Sequence, residues 1–167
     1  MTSIKKILAG ALGLFAVLTA AMPAAAGAVN SLAGAESELT DGTFTYEIVN
    51  GTYTITKCDE TAVIKEIPEM RNGYAVTAIA DGAFMNCALI PEMTIPDTIK
   101  SIGRSAFAYC TSMKSVKLPS KLGGIADGTF MGCTLLESVD IPDSVSIIDD
   151  YAFFGCQNLT EIQLRLH

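Results

Sequence analysis

Residues 102–124 read IGRSAFAYCTSMKSVKLPSKLGG, and the next 23 residues, IADGTFMGCTLLESVDIPDSVSI, repeat the same pattern. Each stretch begins with Ile, has Phe at its sixth position, Cys at its ninth and Pro at its eighteenth. The spacing defines four units, the last incomplete: Ile79–Ser101, Ile102–Gly124, Ile125–Ile147 and Ile148–His167. Because one such unit cannot bury its own apolar side, a period of this length predicts a solenoid of stacked coils.

Each unit contains a pair of apolar residues two positions apart, such as Val116 and Leu118, with Pro119 directly after them. This alternation predicts a short strand that ends at the proline, and stacking predicts that the strands are parallel. The segment Ala106–Cys110 lacks β-branched residues, so we expect one helical or 3₁₀ turn on the opposite wall. Residues 145–148 predict a short extended link between the walls.

The residues ahead of the repeats predict β-structure. Alternating polar and apolar residues on both sides of Asn50-Gly51 predict a β-hairpin at 43–57. Ala62 to Ile67 and Tyr74 to Ile79 predict two further strands, with a turn at Asn72-Gly73. The first coil of a solenoid has no neighbour in front of it, so we interpret residues 41–78 as an N-terminal cap.

The chain begins with a pattern typical of an export signal. Lys5 and Lys6 precede an apolar run at 7–22, and Ala24-Ala25-Ala26 offers a cleavage site. We place the cut after Ala26, with Ala28 as the alternative. A retained anchor is less favoured, because the run is shorter than the roughly 20 residues that span a bilayer. Residues 27–40 are small and polar, which predicts a flexible leader.

Charge argues against nucleic acid as a partner. Cleavage removes Lys5 and Lys6 from 11 basic residues and none of the 18 acidic ones, which leaves a formal charge of −9. Such a chain repels phosphate backbones. The sequence has no Trp and a single histidine, His167, at its last position. Catalysis is therefore poorly supported.

The repeats resemble a known family. Ile102–Cys110 with Met113–Pro119, and the upstream Asn72–Ile79, are similar to the BspA-like leucine-rich repeats of bacterial surface and secreted proteins. The resemblance covers residues 43–164. It implies an α/β, right-handed leucine-rich-repeat solenoid with parallel strands, a secreted or cell-surface location, and adhesion or protein-binding roles outside the cell.

Two columns, meaning residues at one repeat position in successive coils, carry groups that bind metals elsewhere. Cys87, Cys110, Cys133 and Cys156 form one column, and Cys58 makes the cysteine count odd. Thiols in a row about 4.8 Å apart do not converge on one point, so buried free thiols are the preferred interpretation, ahead of disulfides and then of a metal. Asp81, Asp127 and Asp150 form the other column, which turn chemistry explains. We expect no cofactor and no metal.

The candidate binding residues are the outward side chains of the predicted parallel strands, called here the strand face: Glu92, Thr94, Ser115, Lys117, Ser138, Asp140, Glu161 and Gln163. They vary from coil to coil, whereas the inward positions do not. Four strands about 4.8 Å apart and about 17 Å long give roughly 330 Å². A stable interface needs roughly 800 Å² per partner, so binding should be weak unless loops or further copies contribute.

Two interpretations of function stay open. The first is an exported, non-catalytic binding module for an extracellular protein or glycan, and the second is a spacer or stalk segment of a longer surface repeat protein. An enzyme is disfavoured, since no nucleophile motif or phosphate-binding loop is present. Self-association is also expected at the last coil, where Leu159, Ile162 and Leu164 lack a covering neighbour; the alternative is that the chain is a fragment of a longer repeat array, whose next coil covers them.

Overall fold

The computed structural model describes residues 39–164, so the predicted signal at 1–26 and residues 27–38 of the predicted leader lie outside the described residues. Over the described range the secondary structure consists of short strands, with no helix and hence none that could cross a bilayer. The strands are β1 Leu39–Thr40, β2 Phe44–Val49, β3 Thr52–Cys58, β4 Met70–Arg71, β5 Tyr74–Ile79, β6 Glu92–Thr94, β7 Ser101–Ile102, β8 Ser115–Lys117, β9 Gly124–Ile125, β10 Ser138–Ile141, β11 Ile147–Ile148 and β12 Glu161–Leu164.

The predicted parallel sheet is present. Its strand order is β12-β10-β8-β6, and every neighbour is parallel. The register joins residues that are 23 apart, as in the pairing of Glu92 with Ser115 and of Ser115 with Ser138. Shorter parallel pairs on a second wall, β5 with β7 and β9 with β11, keep the same offset. The predicted link at 145–148 becomes strand only at Ile147–Ile148.

The opposite wall, called here the turn wall, is not the helical or 3₁₀ turn that the sequence predicted. The Ser105, Phe107 and Tyr109 N–H groups donate to carbonyls of the next coil at 2.9, 2.9 and 2.7 Å. The Ala108 N–H, which lies between the last two, instead donates within its own coil, to Ser105 O at 3.0 Å. A helix would direct consecutive N–H groups along its own axis. Here alternate groups point to the neighbouring coil instead.

Left-handed backbone makes this alternation possible. In each coil two residues of the turn wall, four positions apart, have a positive φ. The first column is Gly82, Ser105, Gly128 and Tyr151, and the second is Asn86, Tyr109, Gly132 and Gly155. The left-handed region is accessible at little cost to glycine and less so to other residues. The helical expectation fails because this conformation recurs twice in every coil.

The core is a continuous column of aromatic rings flanked by aliphatic side chains. Phe84, Phe107 and Phe130 are fully buried, and Phe153 extends their column. Successive ring centroids are 4.7, 5.6 and 5.6 Å apart, with planes within 24° of parallel. The rings therefore lie in a single column, as the stacking of coils requires. The Cys column and the Ile79–Ile102–Ile125 column pack within the same core.

The N-terminal region contains the predicted hairpin, formed by β2 and β3 around Asn50 and Gly51, which both have positive φ. β5 is also present as predicted. Phe44 continues the ring column, at 5.8 Å from Phe84. The hairpin's role as a cap stays a prediction. β1 pairs with β2, so strand structure already includes Leu39–Thr40, the last two residues of the predicted leader.

One predicted strand is wrong. Between Ala62 and Ile67 only Glu66 is paired, through an isolated parallel bridge to Thr94. Pro68, which has no N–H to donate, follows directly, and the Glu69 carbonyl then accepts from Val76. The chain thus leaves the parallel sheet after one bridge and pairs with β5.

The ring column gives a first prediction. Phe107→Ala should lower the free energy of unfolding by about 3–5 kcal/mol, because it empties a site between two stacked rings. Phe154→Ala is the matched control, since this ring is exposed and its loss should change stability by less than about 0.5 kcal/mol. Urea unfolding measures both. Equal midpoints for Phe107→Ala and the parent chain would contradict the stacked core.

The left-handed columns give a second prediction. Gly132 has φ +72°, and a Cβ added there would lie 2.5 Å from Cδ1 of the Tyr109 ring. Gly132→Ala should therefore lower the free energy of unfolding by about 1–3 kcal/mol. Thermal or urea unfolding measures the change. At Gly123 an added Cβ meets no atom within 4 Å, so Gly123→Ala should leave stability unchanged or raise it by up to about 1 kcal/mol. Similar losses for both variants would refute this assignment.

Candidate functional site

The structure places the strand face on one surface. Ser115 and Lys117 flank the buried Val116 and are both exposed, and the other described side chains of the strand face alternate with buried neighbours in the same way. The six described residues are Glu92, Thr94, Ser115, Lys117, Ser138 and Asp140. Glu161 and Gln163 pair in register within β12, but their side chains lie outside the described part.

Register arranges the strand face in two columns. One runs Glu92, Ser115, Ser138 and Glu161, and the other runs Thr94, Lys117, Asp140 and Gln163. Neighbouring strands of a sheet lie about 4.8 Å apart, so Lys117 stands directly between Thr94 and Asp140. The face therefore exposes hydroxyl, cationic and anionic groups side by side, which suits it to polar contacts with a partner.

A cleft of about 350 Å³ adjoins the strand face where β6 and β8 end. Thr94 and Lys117 belong to both surfaces. The rest of the lining is acidic, hydroxyl and apolar: Glu66, Glu69, Asp97 and Ser120, with Ile67, Ile95, Pro96 and Leu118. The cleft enlarges the contact surface beyond the sheet, which is the loop contribution that the small area of the sheet calls for.

Asp97 fixes the shape of this cleft. Its Oδ1 accepts the Ser120 N–H of the next coil at 2.7 Å. The Ser120 backbone N–H, then its hydroxyl, and also the Lys117 ammonium hold the pKa of Asp97 below its usual range. Asp97 is therefore a carboxylate at neutral pH, so the cleft has a fixed negative charge beside the Lys117 ammonium.

The cysteines are free thiols, as the preferred interpretation expected. Each thiol in the later coils donates to the Phe carbonyl of the preceding coil, with Sγ···O distances of 3.2 Å for Cys110 and 3.1 Å for Cys133 and Cys156. Burial raises the pKa of Cys156 to about 11. The neighbouring Cys133 thiol, followed by burial, raises the pKa of Cys110. Cys110 and Cys156 are therefore weak nucleophiles, and all three Sγ–H···O contacts bind one coil to the next.

No cluster of three or more His, Cys, Asp or Glu side chains within residues 39–164 could hold a metal ion. In the Asp column, the Asp81 carboxylate accepts the Arg104 N–H of the next coil at 2.7 Å. This contact also explains Gly103, where a Cβ would collide with Asp81. Asp81 thus connects its coil to the next through a backbone N–H.

A polar cluster with no place in the sequence-based predictions joins β1, β2 and β4. Arg71 Nη1 lies 2.6 Å from Asp41 Oδ2, and the guanidinium stacks 4.1 Å from the Tyr46 ring centroid. Burial raises the pKa of Asp41, but the Phe44 and Thr43 N–H groups, then the Tyr46 hydroxyl and Arg71, outweigh it and hold that pKa below its usual range. Burial and Asp41 raise the pKa of Tyr46 to about 12. Every charge in the cluster is compensated internally, which makes it structural.

The cleft residues escaped the sequence analysis for identifiable reasons. Glu66 and Glu69 lie ahead of the repeats, where no 23-residue column exists. Asp97 and Ser120 do occupy the same repeat position, directly after Pro96 and Pro119, so the sequence alone could have pointed to them. The varied residues after each proline resemble the varied strand face in this respect.

The predicted self-association residues differ in exposure. Leu159 is half-buried and packs against the core, whereas Ile162 is 41% exposed. The side chain of Leu164 lies outside the described part. The apolar surface at this coil also includes residues that the sequence analysis did not select.

Comparisons with known proteins identify the repeats. Residues 77–167 match the family model described as BspA type leucine rich repeat region, with six copies. A leucine-rich repeat protein from Bacteroides capillosus is 36% identical, with a TM-score of 0.66 over 76% of this chain and 97% of that one. A search of curated proteins finds no match.

Two further solved structures resemble the chain. A leucine rich cell surface protein from Faecalibacterium prausnitzii is 32% identical, with a TM-score of 0.64 over 71% of this chain. The chain spans only 31% of that protein's length. The leucine rich repeat protein of T. pallidum is 23% identical, with a TM-score of 0.61. The match spans 77% of this chain and 72% of that protein, and it supports the fold alone.

The thiol column gives a third prediction. All five cysteines of the unfolded, unreduced chain should react with a thiol reagent such as DTNB. In the folded chain at pH 8 the reaction should be at least about 100-fold slower, because four of the thiols are buried away from the reagent and the fifth, Cys156, is partly buried. Cys156→Ser should remove the fastest folded-state phase, since Cys156 is the most exposed of the five. Fewer than five reactive thiols after unfolding would show disulfides instead.

Proposed function

Because the chain belongs to the BspA-type leucine-rich repeat family, we propose that it is an exported, non-catalytic binding module that contacts an extracellular protein or glycan through the strand face. One contrast carries the proposal. At fixed register the buried positions repeat, as in Val116 and Val139, while the exposed positions beside them change in charge, as in Lys117 and Asp140. A surface whose scaffold is constant and whose exposed groups differ is suited to recognition.

The chemistry of the surface favours a basic protein segment over a glycan. The cleft beside the strand face brings Glu66, Glu69 and Asp97 together with one lysine, Lys117. This excess of carboxylates attracts a cationic partner. None of the six described strand-face side chains is aromatic, so they offer no ring on which a sugar could stack. We therefore take a basic peptide or protein surface as the favoured ligand.

Location outside the cell rests on two observations. The first 26 residues carry the pattern of an export signal. The related F. prausnitzii protein is a cell surface protein. Both agree with a chain that acts at, or is released from, a bacterial surface.

The fourth prediction tests the strand face. The chain from Gly27 to His167 is used to capture partners from extracellular-matrix and cell-surface preparations, and the affinity of each recovered partner is measured by biolayer interferometry. The combined variant Glu92→Ala, Lys117→Ala and Asp140→Ala should weaken binding at least about tenfold, equal to about 1.4 kcal/mol. The variant removes three charged groups of the face, two of them, Lys117 and Asp140, on its central strands.

The matched control removes the same charges elsewhere. Glu47, Lys57 and Glu60 are exposed on or next to the hairpin, and their combined replacement by Ala should change affinity less than about twofold. Equal affinities for the parent and the strand-face variant would refute binding through this face and favour the spacer interpretation. Recovery of a glycan rather than a protein would overturn the assignment of a basic protein partner.

A further inference from the structure

The outward side of the last described coil is an apolar surface, called here the end face. It consists of large side chains that are 41–65% exposed: Ile147, Ile148, Tyr151, Phe154 and Ile162. At the equivalent position one coil earlier, Ile125 is 1% exposed in place of Ile148, and Val139 is 1% exposed in place of Ile162. The Ile148 and Ile162 columns are buried wherever another coil follows, whereas Met85, at the position of Phe154, is 37% exposed although a coil follows it. Through Ile148 and Ile162 the end face is thus suited to receive a covering surface.

Three of its residues are larger than their counterparts in the preceding coil. Ile147, Tyr151 and Phe154 occupy the positions of Gly124, Gly128 and Met131 respectively. The Tyr151 and Phe154 rings contact each other edge to face, at 5.8 Å. Tyr151 also has φ +56°, a conformation that favours glycine. Earlier coils each expose at most two large apolar side chains among the described residues, such as Met85 and Leu89, whereas the end face exposes five.

Backbone groups lie beside the end face. β12 is the edge strand of the order β12-β10-β8-β6, and β11 is the edge of its pair with β9. Among the described residues neither has a second neighbour, so their outer N–H and C=O groups are available for pairing. Both edges face the direction in which the next coil would stack.

We propose that a second copy of this chain covers the end face, so that two copies form a closed, two-fold symmetric pair. The symmetry follows from matching surfaces. At the other end of the described strands, the edge strand β1 has two residues, a half-buried Leu39 and a polar Thr40. Ile48 and Val49 on the neighbouring β2 are 48% and 40% exposed, so β1 and β2 offer a head-to-tail neighbour less apolar area than the end face does. A two-fold axis instead places each apolar end face on its own copy.

The area sets the strength of this pair. Taking roughly 200 Å² for a large apolar side chain, the exposed fractions of the five residues correspond to about 550 Å² per copy. A stable interface has about 800 Å² per partner, so pairing of the β12 edges supplies part of the difference. We expect a dimer that dissociates in the range of about 10–100 µM.

The test is sedimentation of the chain from Gly27 to His167 over a range of concentrations that spans this constant. Tyr151→Gly with Phe154→Ala introduces small residues that already occupy these positions in other coils, Gly128 and Ala108. Since Gly also suits the local backbone, this variant should fold as stably as the parent, which thermal unfolding checks. It should weaken the dimer at least about tenfold.

The control removes exposed apolar side chains from the first coil. Met85→Ala with Leu89→Ala should leave the dimer constant within about twofold. Three outcomes would overturn the proposal: a parent chain that stays monomeric at high concentration, a dimer that survives in the Tyr151→Gly, Phe154→Ala variant, or growth past the dimer with rising concentration. The last would indicate head-to-tail stacking. None of these outcomes bears on ligand binding by the strand face.

Discussion

Stacking of each coil on the next, at an offset of 23 residues, is the constraint on which the whole structure depends. The same stacking sets the pairing of Ser115 with Ser138 in the parallel sheet and the donation of the Phe107 N–H to Thr129 O on the turn wall. Cys133 Sγ donates to Phe107 O in the core between them. A shift of one residue would break all three sets of bonds together, because a strand shifted by one also turns its side chains to the other face. The fold tolerates changes of side chain far better than changes of spacing.

This constraint separates the inward residues that build the coil from the outward residues that can contact a partner. Inward columns must fill the same space in every coil, so they repeat within the chain. The outward columns and the positions after each proline have no such requirement. Their side chains can change without disturbing the stack, as the contrast between Lys117 and Asp140 shows. Function is therefore expected where the repeat is least regular, on the strand face, in the cleft at its end and on the end face.

The sequence was sufficient to predict whatever depends on the period. It placed the parallel strands and the ring column, because each has one residue type or one alternation per coil, while the turn signal Asn50-Gly51 placed the hairpin ahead of the repeats. It did not predict the turn wall, since Gly82, Ser105, Gly128 and Tyr151 share a left-handed backbone but no chemistry. The strand at 62–67 was over-predicted, because alternation alone does not reveal that the chain leaves the sheet at Pro68. The strand face was predicted, but Glu66 and Glu69 of the cleft were not, since only the fold brings them to Lys117.

The acidity of the chain acts in opposite directions on the two proposed interactions. Two copies that meet at their end faces bring Asp149 and Asp150 of each copy towards one another, and both residues are exposed. Salt screens this repulsion and so favours the pair, whose attraction is apolar. A basic partner at the cleft of Glu66, Glu69 and Asp97 is attracted by the same excess charge, and salt weakens that attraction. A pair of copies would also present two strand faces to one partner, which compensates for the small area of each. Added salt strengthens the pairing of end faces and weakens the binding of a basic partner. A single salt series therefore distinguishes association through the end face from binding through the strand face.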